Sequence, residues 1–453
     1  MKREVVGFYG NCEEEVHALV NGLKSDKVFG RAFLKKYLWK KLGMPRFLII
    51  LSIFYIVFAT YGFQTFRTLF KSHWVQWGYG IIFLGVWIYF LIKLNSYQPG
   101  SALKPSTAVA GGIFFSFLVL GMVLGFFMAM EDLGRLFVGG YRRISGLSEG
   151  QGYFPSRRKF VSTLALGLGA LPFGALLYGM YKGKYNYKVL KYALEFDDLP
   201  DAFDGYQITQ ISDVHSGSFD DYDKVAHGVD LINQQSSDVI LFTGDMVNNK
   251  AEEMKPWAEL FSTLKAKDGK YAILGNHDYG DYTSWPSEEA KVKNLQDLKD
   301  LQKSMGFDLL LNEHRYLEKA GHKIALVGVE NWGAGGFKKA GNLKKAVVGI
   351  REDDFKILMS HDPSHWEQEV IQDDYHYHLT LSGHTHGMQF GVEIPGWFKW
   401  SPVKWRYKYW AGIYEELGQF INVNRGFGFI GYPGRFGIWP EITVITLKKK
   451  SLT

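Results

Sequence analysis

Residues 206–215 read YQITQISDVH, a short apolar run that leads directly into an aspartate and a histidine. The same arrangement recurs along the chain, where further apolar runs lead into Asp245, Asn276–Asp278, His361 and Gly383–His386. Runs of this length and composition predict strands. Polar side chains that follow parallel strands meet at the carboxyl edge of a sheet, where α/β domains place their sites. The sequence therefore predicts an α/β domain with one site built from these five blocks.

The β-like runs continue to the end of the chain. Eight runs are predicted to form strands: 206–211, 238–243, 270–274, 323–329, 355–360, 378–382, 419–423 and 441–447. Polar helix-like segments such as 286–304 separate several of them, as expected for an α/β architecture. We expect this domain to span 185–453.

The residue types in the five blocks suit divalent metal ions. Imidazole and carboxylate groups are ligands for Mn, Fe and Zn, and an asparagine amide adds a neutral ligand. Two such ions about 3.5–4 Å apart can neutralise a phosphate ester and acidify a water molecule. Each residue alone is more often a hydrogen-bonded loop residue or an Asx turn. Their ordered recurrence favours a metal centre.

The chain resembles the calcineurin-like metallophosphoesterase superfamily over roughly residues 187–447. Five ordered blocks carry the resemblance: Asp213-x-His215, Gly244-Asp245, Gly275-Asn276-His277-Asp278, His361 and Gly383-His384-Thr385-His386. The segment 199–206, with Arg425-Gly426 and 440–442, is similar to the subfamily that joins membrane spans or a twin-arginine segment to this domain. Members of that subfamily include UDP-2,3-diacylglucosamine hydrolases. The resemblance implies a four-layer αββα sandwich.

The resemblance also implies two metal sites that share one carboxylate. The first site would be held by Asp213, His215, Asp245 and His386. The second would be held by Asp245, Asn276, His361 and His384. Asp245 would therefore be the bridge between two divalent ions, which we expect to be Mn, Fe, Zn or Mg, with Mn favoured.

The same resemblance implies catalytic and substrate-binding roles around the metal sites. His277 would protonate the leaving oxygen or stabilise the transition state, with Asp278 as a partner that tunes it. Asn248, Arg425 and Arg435 are predicted to contact phosphate, because arginine forks fit phosphate oxygens. For both arginines a role in the protein surface is the alternative. The sequence Gly387-Met388-Gln389 departs from the subfamily pattern at a rim residue, which weakens transfer of the substrate by analogy.

Four apolar stretches precede the α/β domain, at 47–63, 75–93, 107–130 and 160–181. Each is close to the roughly 20 residues that a helix needs to cross a bilayer. Buried helices of soluble proteins rarely stay apolar on every face for that length. We therefore expect a multi-pass protein of the inner or plasma membrane.

These stretches also set the expected domain boundaries. A polar and basic segment occupies 1–46, three spans occupy 47–134, a basic loop occupies 135–159 and a fourth span occupies 160–181. Arg157 and Arg158 precede the fourth stretch, so it is open to two interpretations, a twin-arginine export signal or a membrane helix with a basic flank.

The side of the membrane that the α/β domain faces is open. The positive-inside rule requires both the basic run before residue 47 and the loop 135–159 to lie in the cytosol, which four spans do not allow. Met44 is a candidate start. If residues 1–43 are an extension, the domain faces outward. If they are part of the working protein, it faces the cytosol.

Net charge and cysteine content argue against a nucleic-acid partner and against sulfur-based cross-links or metal clusters. The net charge of +6 is a mild excess that loops beside membrane spans explain, and no nucleic-acid-binding signature accompanies it. The single cysteine, Cys12, excludes a disulfide or thiolate cluster within this chain.

Residues 397–410, WFKWSPVKWRYKYW, alternate aromatic and cationic side chains. This pattern is typical of a lipid headgroup boundary, and a partly buried loop with solvated charges is the alternative.

Together these features predict metal-dependent hydrolysis of a phosphodiester or pyrophosphate bond. The expected partners are the lipid bilayer and a phospholipid or nucleotide-lipid substrate such as UDP-2,3-diacylglucosamine, and no nucleic acid is expected. Two alternatives remain open: a membrane-tethered phosphodiesterase of a soluble substrate, and a catalytically silent metal-binding sensor or scaffold. The sequence indicates no oligomeric state.

Overall fold

The computed structural model describes residues 46–96, 103–146, 155–394 and 396–450. The predicted N-terminal segment, with Cys12 and Met44, lies outside the described residues apart from its last position. The chain divides into two compact units, one formed by Met1–Gly80 and Gly121–Ala165 and the other by Ile81–Leu120 and Leu166–Thr453.

Four long helices precede the C-terminal domain: α1 Arg46–Leu69, α2 His73–Asn95, α3 Pro105–Ile144 and α4 Pro155–Tyr181. All four are long and apolar enough to cross a membrane, which confirms the predicted multi-pass protein. Helix α3 continues past the apolar stretch to Ile144, so part of the segment predicted as a basic loop is helical. Glu131 and Arg135 pair at 2.7 Å across one turn of this extension and stabilise it.

The C-terminal domain contains fourteen strands and five α-helices within the described residues. The strands are β1 Lys188–Phe196, β2 Gln207–Ile211, β3 Val239–Phe242, β4 Lys270–Ala272, β5 Phe307–Leu309, β6 Glu313–Lys319, β7 His322–Gly328, β8 Lys356–Met359, β9 Leu379–Ser382, β10 Val392–Ile394, β11 Phe398–Trp400, β12 Gly412–Glu416, β13 Gln419–Val423 and β14 Glu441–Lys449. The helices are α5 Tyr222–Asn233, α6 Ala258–Ser262, α7 Glu288–Ser304, α8 Leu343–Ala346 and α9 Pro363–Gln368. All eight predicted runs form strands, and the polar segment 286–304 forms α7.

Two six-stranded sheets and one hairpin organise these strands. The first sheet has the order β1-β14-β2-β3-β4-β5, and the second has the order β12-β13-β9-β8-β7-β6. Strands β2 to β5 run parallel in the first sheet, as do β13, β9, β8 and β7 in the second. Strands β10 and β11 form a separate antiparallel pair. The carboxyl ends of the parallel strands in each sheet therefore share one edge.

Strand β3 shows how the layers are built. Its four residues are all buried. Val239 and Leu241 pack into the core between the two sheets, whereas Ile240 and Phe242 pack against the helices outside the first sheet. A third core, which includes Leu358 and Trp366, covers the outer face of the second sheet. Helices outside two stacked sheets give the predicted four-layer αββα fold, which is confirmed.

The end of α4 packs on a loop of the C-terminal domain, within one unit. The Arg435 N–H donates to the Gly179 carbonyl at 3.2 Å, and the Tyr432 hydroxyl donates to the Leu176 carbonyl at 2.6 Å. A Cβ atom at Gly183 would lie 2.1 Å from the Arg435 carbonyl oxygen, so only glycine permits this approach. The fourth helix is therefore tied to the domain through its main-chain carbonyl groups.

The core between the sheets can be tested with a matched pair of leucines. Leu381 is fully buried and lies at the end of β9, whereas Leu417 is 72% exposed. We expect Leu381→Ala to lower the free energy of unfolding by about 2–5 kcal/mol, because it opens a cavity. Leu417→Ala should change it by less than about 0.5 kcal/mol. Urea unfolding of the detergent-solubilised chain, followed by circular dichroism, measures both, and equal midpoints would contradict the assigned core.

Candidate metal centre

The predicted ligand residues lie in loops that follow five strands from both sheets. In the first sheet, β2 leads to Asp213 and His215, β3 to Asp245 and β4 to Asn276. In the second sheet, β8 leads to His361, and β9 leads to His384 and His386. Because the carboxyl edges of the two sheets meet, seven side chains that are distant in sequence surround one buried site.

Asp213, His215 and His386 form the first group. Their ligand atoms all lie within 4.8 Å of one another. His386 Nε2 lies 3.2 Å from Asp213 Oδ1, and 3.0 Å from His215 Nε2. Two ring nitrogens and a carboxylate oxygen that face each other in this way form a donor set for Mn, Fe or Zn.

Asp245, His361 and His384 form the second group, again with ligand atoms within 4.8 Å of one another. His361 Nδ1 lies 2.7 Å from the Thr243 carbonyl oxygen, to which it donates. Its Nε2 atom then points at Asp245 Oδ2, 3.1 Å away, on the side of the site. A carbonyl that fixes one ring nitrogen and leaves the other toward the site is typical of a metal-binding histidine.

Asn276 extends the second group with an amide oxygen. Its Nδ2 atom donates to the Tyr282 hydroxyl at 2.9 Å, and its Oδ1 atom lies 2.8 Å from His384 Nδ1. The amide is therefore oriented with its oxygen toward the second group. Tyr282 was not singled out by sequence reasoning, because nothing in its local sequence marks this contact.

Asp245 stands between the two groups. Its Oδ2 atom lies 3.6 Å from His215 Nε2 in the first group, and 3.1 Å from His361 Nε2 in the second. Its Oδ1 atom accepts the His277 N–H at 2.8 Å. One oxygen is thus held by the backbone and the other faces both groups, an arrangement that fits the predicted bridge, which stays a prediction.

The ionisation of the site fits cation binding. Burial lowers the pKa of His215, His384 and His386, so these imidazoles are neutral, the form that binds a metal ion. At His361 burial also opposes the charged form, but the Asp245 carboxylate outweighs it and raises its pKa to about 10. A metal ion at His361 therefore has to displace a proton. The donor set and its protonation fit divalent ions.

The ligand backbone is strained. Asp213, His215, Asp245, His384 and His386 have positive φ angles of 51°, 46°, 60°, 70° and 49°. Residues other than glycine adopt this left-handed region uncommonly, and such residues cluster at functional sites. A Cβ atom at Gly383 would lie 1.9 Å from Ser212 Oγ, so this loop approaches its neighbour as closely as glycine allows.

Asp278 holds two of the ligand loops together. Its carboxylate accepts the N–H groups of Asp245 at 2.9 Å, Met246 at 2.8 Å and Gly275 at 2.9 Å. Burial, reinforced by the Asp245 charge, raises the pKa of Asp278 to about 7. Among the described residues the Asp278 carboxylate accepts only backbone N–H groups, and the His277 ring Nδ1 instead lies 2.8 Å from the Asn248 carbonyl oxygen. The geometry favours a positioning role for Asp278, and its catalytic role stays a prediction.

The three predicted phosphate contacts are engaged in protein contacts. The Asn248 amide donates to Ser218 Oγ at 3.0 Å. Arg425 is buried and pairs with Glu441, and with Glu393 at 2.6 Å. Arg435 is fully buried and donates from Nε to the Gly428 carbonyl at 2.8 Å.

Arg435 also lies behind a ligand. Its Nη2 atom is 3.0 Å from His386 Nδ1. Burial lowers the pKa of Arg435 to about 9. These contacts place Arg435 as a support of the first group, and its contact with substrate stays a prediction.

Sequence reasoning missed two further groups at the second site. The Tyr407 hydroxyl lies 2.8 Å from His384 Nε2, and Asp362 Oδ2 lies 3.3 Å from the same nitrogen. Tyr407 belongs to the aromatic and basic segment 397–410, and Asp362 follows His361 directly. The only available signal was that Asp362 adjoins a predicted ligand. The Tyr407 contact arises from tertiary packing alone.

Two family models match the chain. Residues 45–184 match the model described as "Probable Calcineurin-like phosphoesterase, transmembrane domain". Residues 206–388 match the model described as "Calcineurin-like phosphoesterase". The second match contains all seven ligand residues of the two groups.

Among curated proteins, the chain is similar to "Uncharacterized metallophosphoesterase YkuE" of Bacillus subtilis, with 31% identity over 65% of this chain and 98% of that protein. It is 28% identical to "Transmembrane protein with metallophosphoesterase domain" of Danio rerio, over 60% of each chain. It is 26% identical to "Uncharacterized metallophosphoesterase YkoQ" of Bacillus subtilis, over 62% of this chain and 98% of that protein.

The shared carboxylate predicts a specific loss of metal. We expect Asp245→Asn to weaken metal binding by more than about 100-fold, because the substitution removes one negative charge from both groups. Metal content after dialysis, measured by inductively coupled plasma mass spectrometry, tests this. Asp374→Asn, at an exposed position, is the matched control and should retain the wild-type content. Full metal retention in Asp245→Asn would rule out the bridging assignment.

Proposed function

The chain belongs to the calcineurin-like phosphoesterase family, and from this premise we propose that it hydrolyses a phosphodiester or pyrophosphate bond of a membrane lipid with two divalent ions. The chain is a membrane metallophosphoesterase. The number of ions is supported by two separate ligand groups, and Asp245, a member of the second, also lies 3.6 Å from His215 of the first. Mn is the ion that we favour. The lipid substrate is supported by a surface next to the site.

The residues of the site divide the work of hydrolysis. When bound, the divalent ions supply positive charge that neutralises the phosphate and acidifies a water molecule. Asp245 keeps the two ligand groups at a fixed separation. The Nδ1–H of His277 donates to the Asn248 carbonyl, so Nε2 is the nitrogen that faces away from this bond and, when it carries a second proton, can give it to the leaving oxygen.

His277 should therefore affect the reaction and leave the metal in place. Its hydrogen bond to the ligand set is made by its backbone N–H, which glutamine retains. We expect His277→Gln to lower kcat by about 10²–10⁴-fold, as loss of a general acid does, with unchanged metal content. Hydrolysis of bis(p-nitrophenyl) phosphate and metal analysis on the same sample measure both. Loss of metal together with activity would instead make His277 a structural support.

An exposed apolar rim beside the site carries the lipid assignment. Six large hydrophobic side chains between residues 388 and 405 are exposed: Met388, Val392, Ile394, Trp397, Phe398 and Trp405. Trp397 is 81% exposed and Trp405 is 77% exposed. Apolar patches of this kind mark interaction sites, and tryptophans with interleaved cations favour the membrane interface.

The rim is continuous with the metal centre. Met388 follows His386 by two residues, and Tyr407 of the same segment contacts the ring of the ligand His384. A substrate with its phosphate at the metal centre can therefore place an apolar portion against the rim. An amphiphilic phosphate compound fits this arrangement, and UDP-2,3-diacylglucosamine is the specific candidate that we propose.

Two tryptophan substitutions separate a lipid substrate from a soluble one. We expect Trp397→Ser with Trp405→Ser to reduce hydrolysis of UDP-2,3-diacylglucosamine in mixed micelles by about tenfold or more, because interfacial binding scales with buried apolar area. Hydrolysis of bis(p-nitrophenyl) phosphate should stay at the wild-type rate. Mass spectrometry of the products identifies the bond that is cut.

The control pair is Val348→Ser with Leu417→Ser, which removes exposed apolar side chains outside the rim. This pair should leave both rates unchanged. A soluble substrate would be favoured if both pairs lost the same fraction of lipid hydrolysis. It would also be favoured if the wild type hydrolysed no more lipid than Asp245→Asn while it still cleaved the chromogenic diester. If the Asp245→Asn variant still performed the role of the wild-type protein in cells, a metal-binding scaffold would be favoured.

A further inference from the structure

A second cluster of charged groups lies in the unit formed by Met1–Gly80 and Gly121–Ala165. Its members come from three helices: Tyr61 and Gln64 from α1, Glu131, Asp132 and Arg135 from α3, and Arg158 from α4. Arg158 belongs to the twin-arginine pair of the sequence. None of these residues takes part in the metal centre.

Two carboxylates hold two guanidinium groups in this cluster. Glu131 Oε2 lies 2.7 Å from Arg135 Nη2 and 2.8 Å from Arg158 Nη1. Asp132 Oδ1 lies 2.7 Å from Arg158 Nη1, and its Oδ2 accepts the Tyr61 hydroxyl at 2.8 Å. The Glu131 side chain is only 3% exposed. Both arginines are therefore fixed in orientation by buried or half-buried partners.

An open cavity of about 570 Å³ lies against the cluster, with Arg67, Thr68 and Lys159 completing its lining. Its size is within the range of small-ligand pockets. Arg67 and Lys159 form no ion pair with any residue that the structure describes. With Arg135 and Arg158 they make four cations, against the two carboxylates of Glu131 and Asp132, which leaves a net charge of +2.

The cavity lies at the level where the apolar stretches end. Gln64 follows the stretch 47–63, Glu131 follows 107–130, and Lys159 precedes 160–181. Contacts between α1, α3 and α4 bring these three boundaries together. In a membrane this is the depth at which hydrocarbon gives way to headgroups.

We propose that this cavity binds a phosphate group, and that the headgroup of an anionic phospholipid supplies it. Arginine forks bind phosphate oxygens in pairs, and basic pockets between membrane helices bind anionic headgroups. Basic residues that served only to set the orientation of the chain in the membrane would need nothing more than exposure. The buried Glu131, which orients Arg135 and Arg158 toward one another, is not required for that role.

The proposal is tested with the full chain in detergent and three probes. The probes are dioleoylphosphatidylglycerol, dioleoylphosphatidylcholine and inorganic phosphate. Native mass spectrometry titrations should show binding of the anionic lipid at least tenfold tighter than binding of the zwitterionic lipid. If inorganic phosphate competes with the anionic lipid at millimolar concentration, the phosphate group itself is the recognised element. Saturation by phosphate without any lipid preference would assign the site to a free phosphate.

A charge-matched pair of double variants locates the binding. Arg67→Gln with Lys159→Gln should weaken binding of the anionic lipid by about 30-fold, the combined effect of two interfacial cations. Lys71→Gln with Arg143→Gln removes the same charge from exposed positions that do not line the cavity, and should bind as wild type. The proposal would be overturned if the two double variants bound the anionic lipid with equal affinity. It would also be overturned if neither dioleoylphosphatidylglycerol nor inorganic phosphate bound to the wild type.

Folding is checked independently of binding. Both double variants should melt at the wild-type temperature in phosphatidylcholine micelles, because none of the four residues belongs to the cluster that joins the helices. If Arg67→Gln with Lys159→Gln melts lower, the single variant Lys159→Gln, at an exposed position, replaces it and should still weaken binding several-fold. An unchanged affinity in that folded single variant would also overturn the proposal.

Discussion

One carboxylate oxygen, Oδ2 of Asp245, has to reach imidazoles that come from two different sheets. This requires the carboxyl edges of the sheets to converge, and buried polar contacts between the sheets help to fix that convergence. The Gln210 side chain of β2 donates to the Ser382 carbonyl of β9 at 2.8 Å and accepts from Asn422 of β13 at 2.7 Å. Because a buried donor without a partner is expensive, these contacts specify one register between the sheets.

The strain in the ligand loops depends on the same arrangement. Five ligand residues hold left-handed backbone conformations that the local sequence would not adopt alone. The Asp278 carboxylate compensates by accepting N–H groups from two loops at once. The site is therefore rigid because its surroundings determine it, which keeps donor atoms together whose charges and lone pairs would otherwise repel.

The sequence predicted the part of the fold that is encoded locally. Eight strands could be found because each is a short apolar run. At several of them a block of polar residues directly follows the run. Strand β1 was not found, since it alternates exposed and buried positions with lysines among them, and its partner β14 lies at the far end of the chain. The hairpin β10–β11 was hidden inside a segment whose aromatic and basic residues indicated a membrane contact.

The candidate ligand residues were recognisable because their types suit divalent metal ions and their order along the chain resembles that of the calcineurin-like metallophosphoesterases. The residues that support the ligands were not recognisable, because such support depends on which loops pack against each other in the folded chain. Tyr407 contacts His384 only through tertiary packing. An arginine in a glycine-rich turn has the same local pattern whether it meets a phosphate or, as Arg435 does, lies behind a ligand histidine.

Arg435 also limits which membrane anchor could be joined to this domain. Its backbone is bound to Gly179 near the end of α4, while its side chain is bound beside His386. A recombination event that joined this domain to a different anchor would have to supply a carbonyl at the same place and glycines that permit the same close approach. Residues near the end of α4 and residues beside the candidate metal centre therefore constrain one another through Arg435, so a substitution at either end has to be compatible with the same contact.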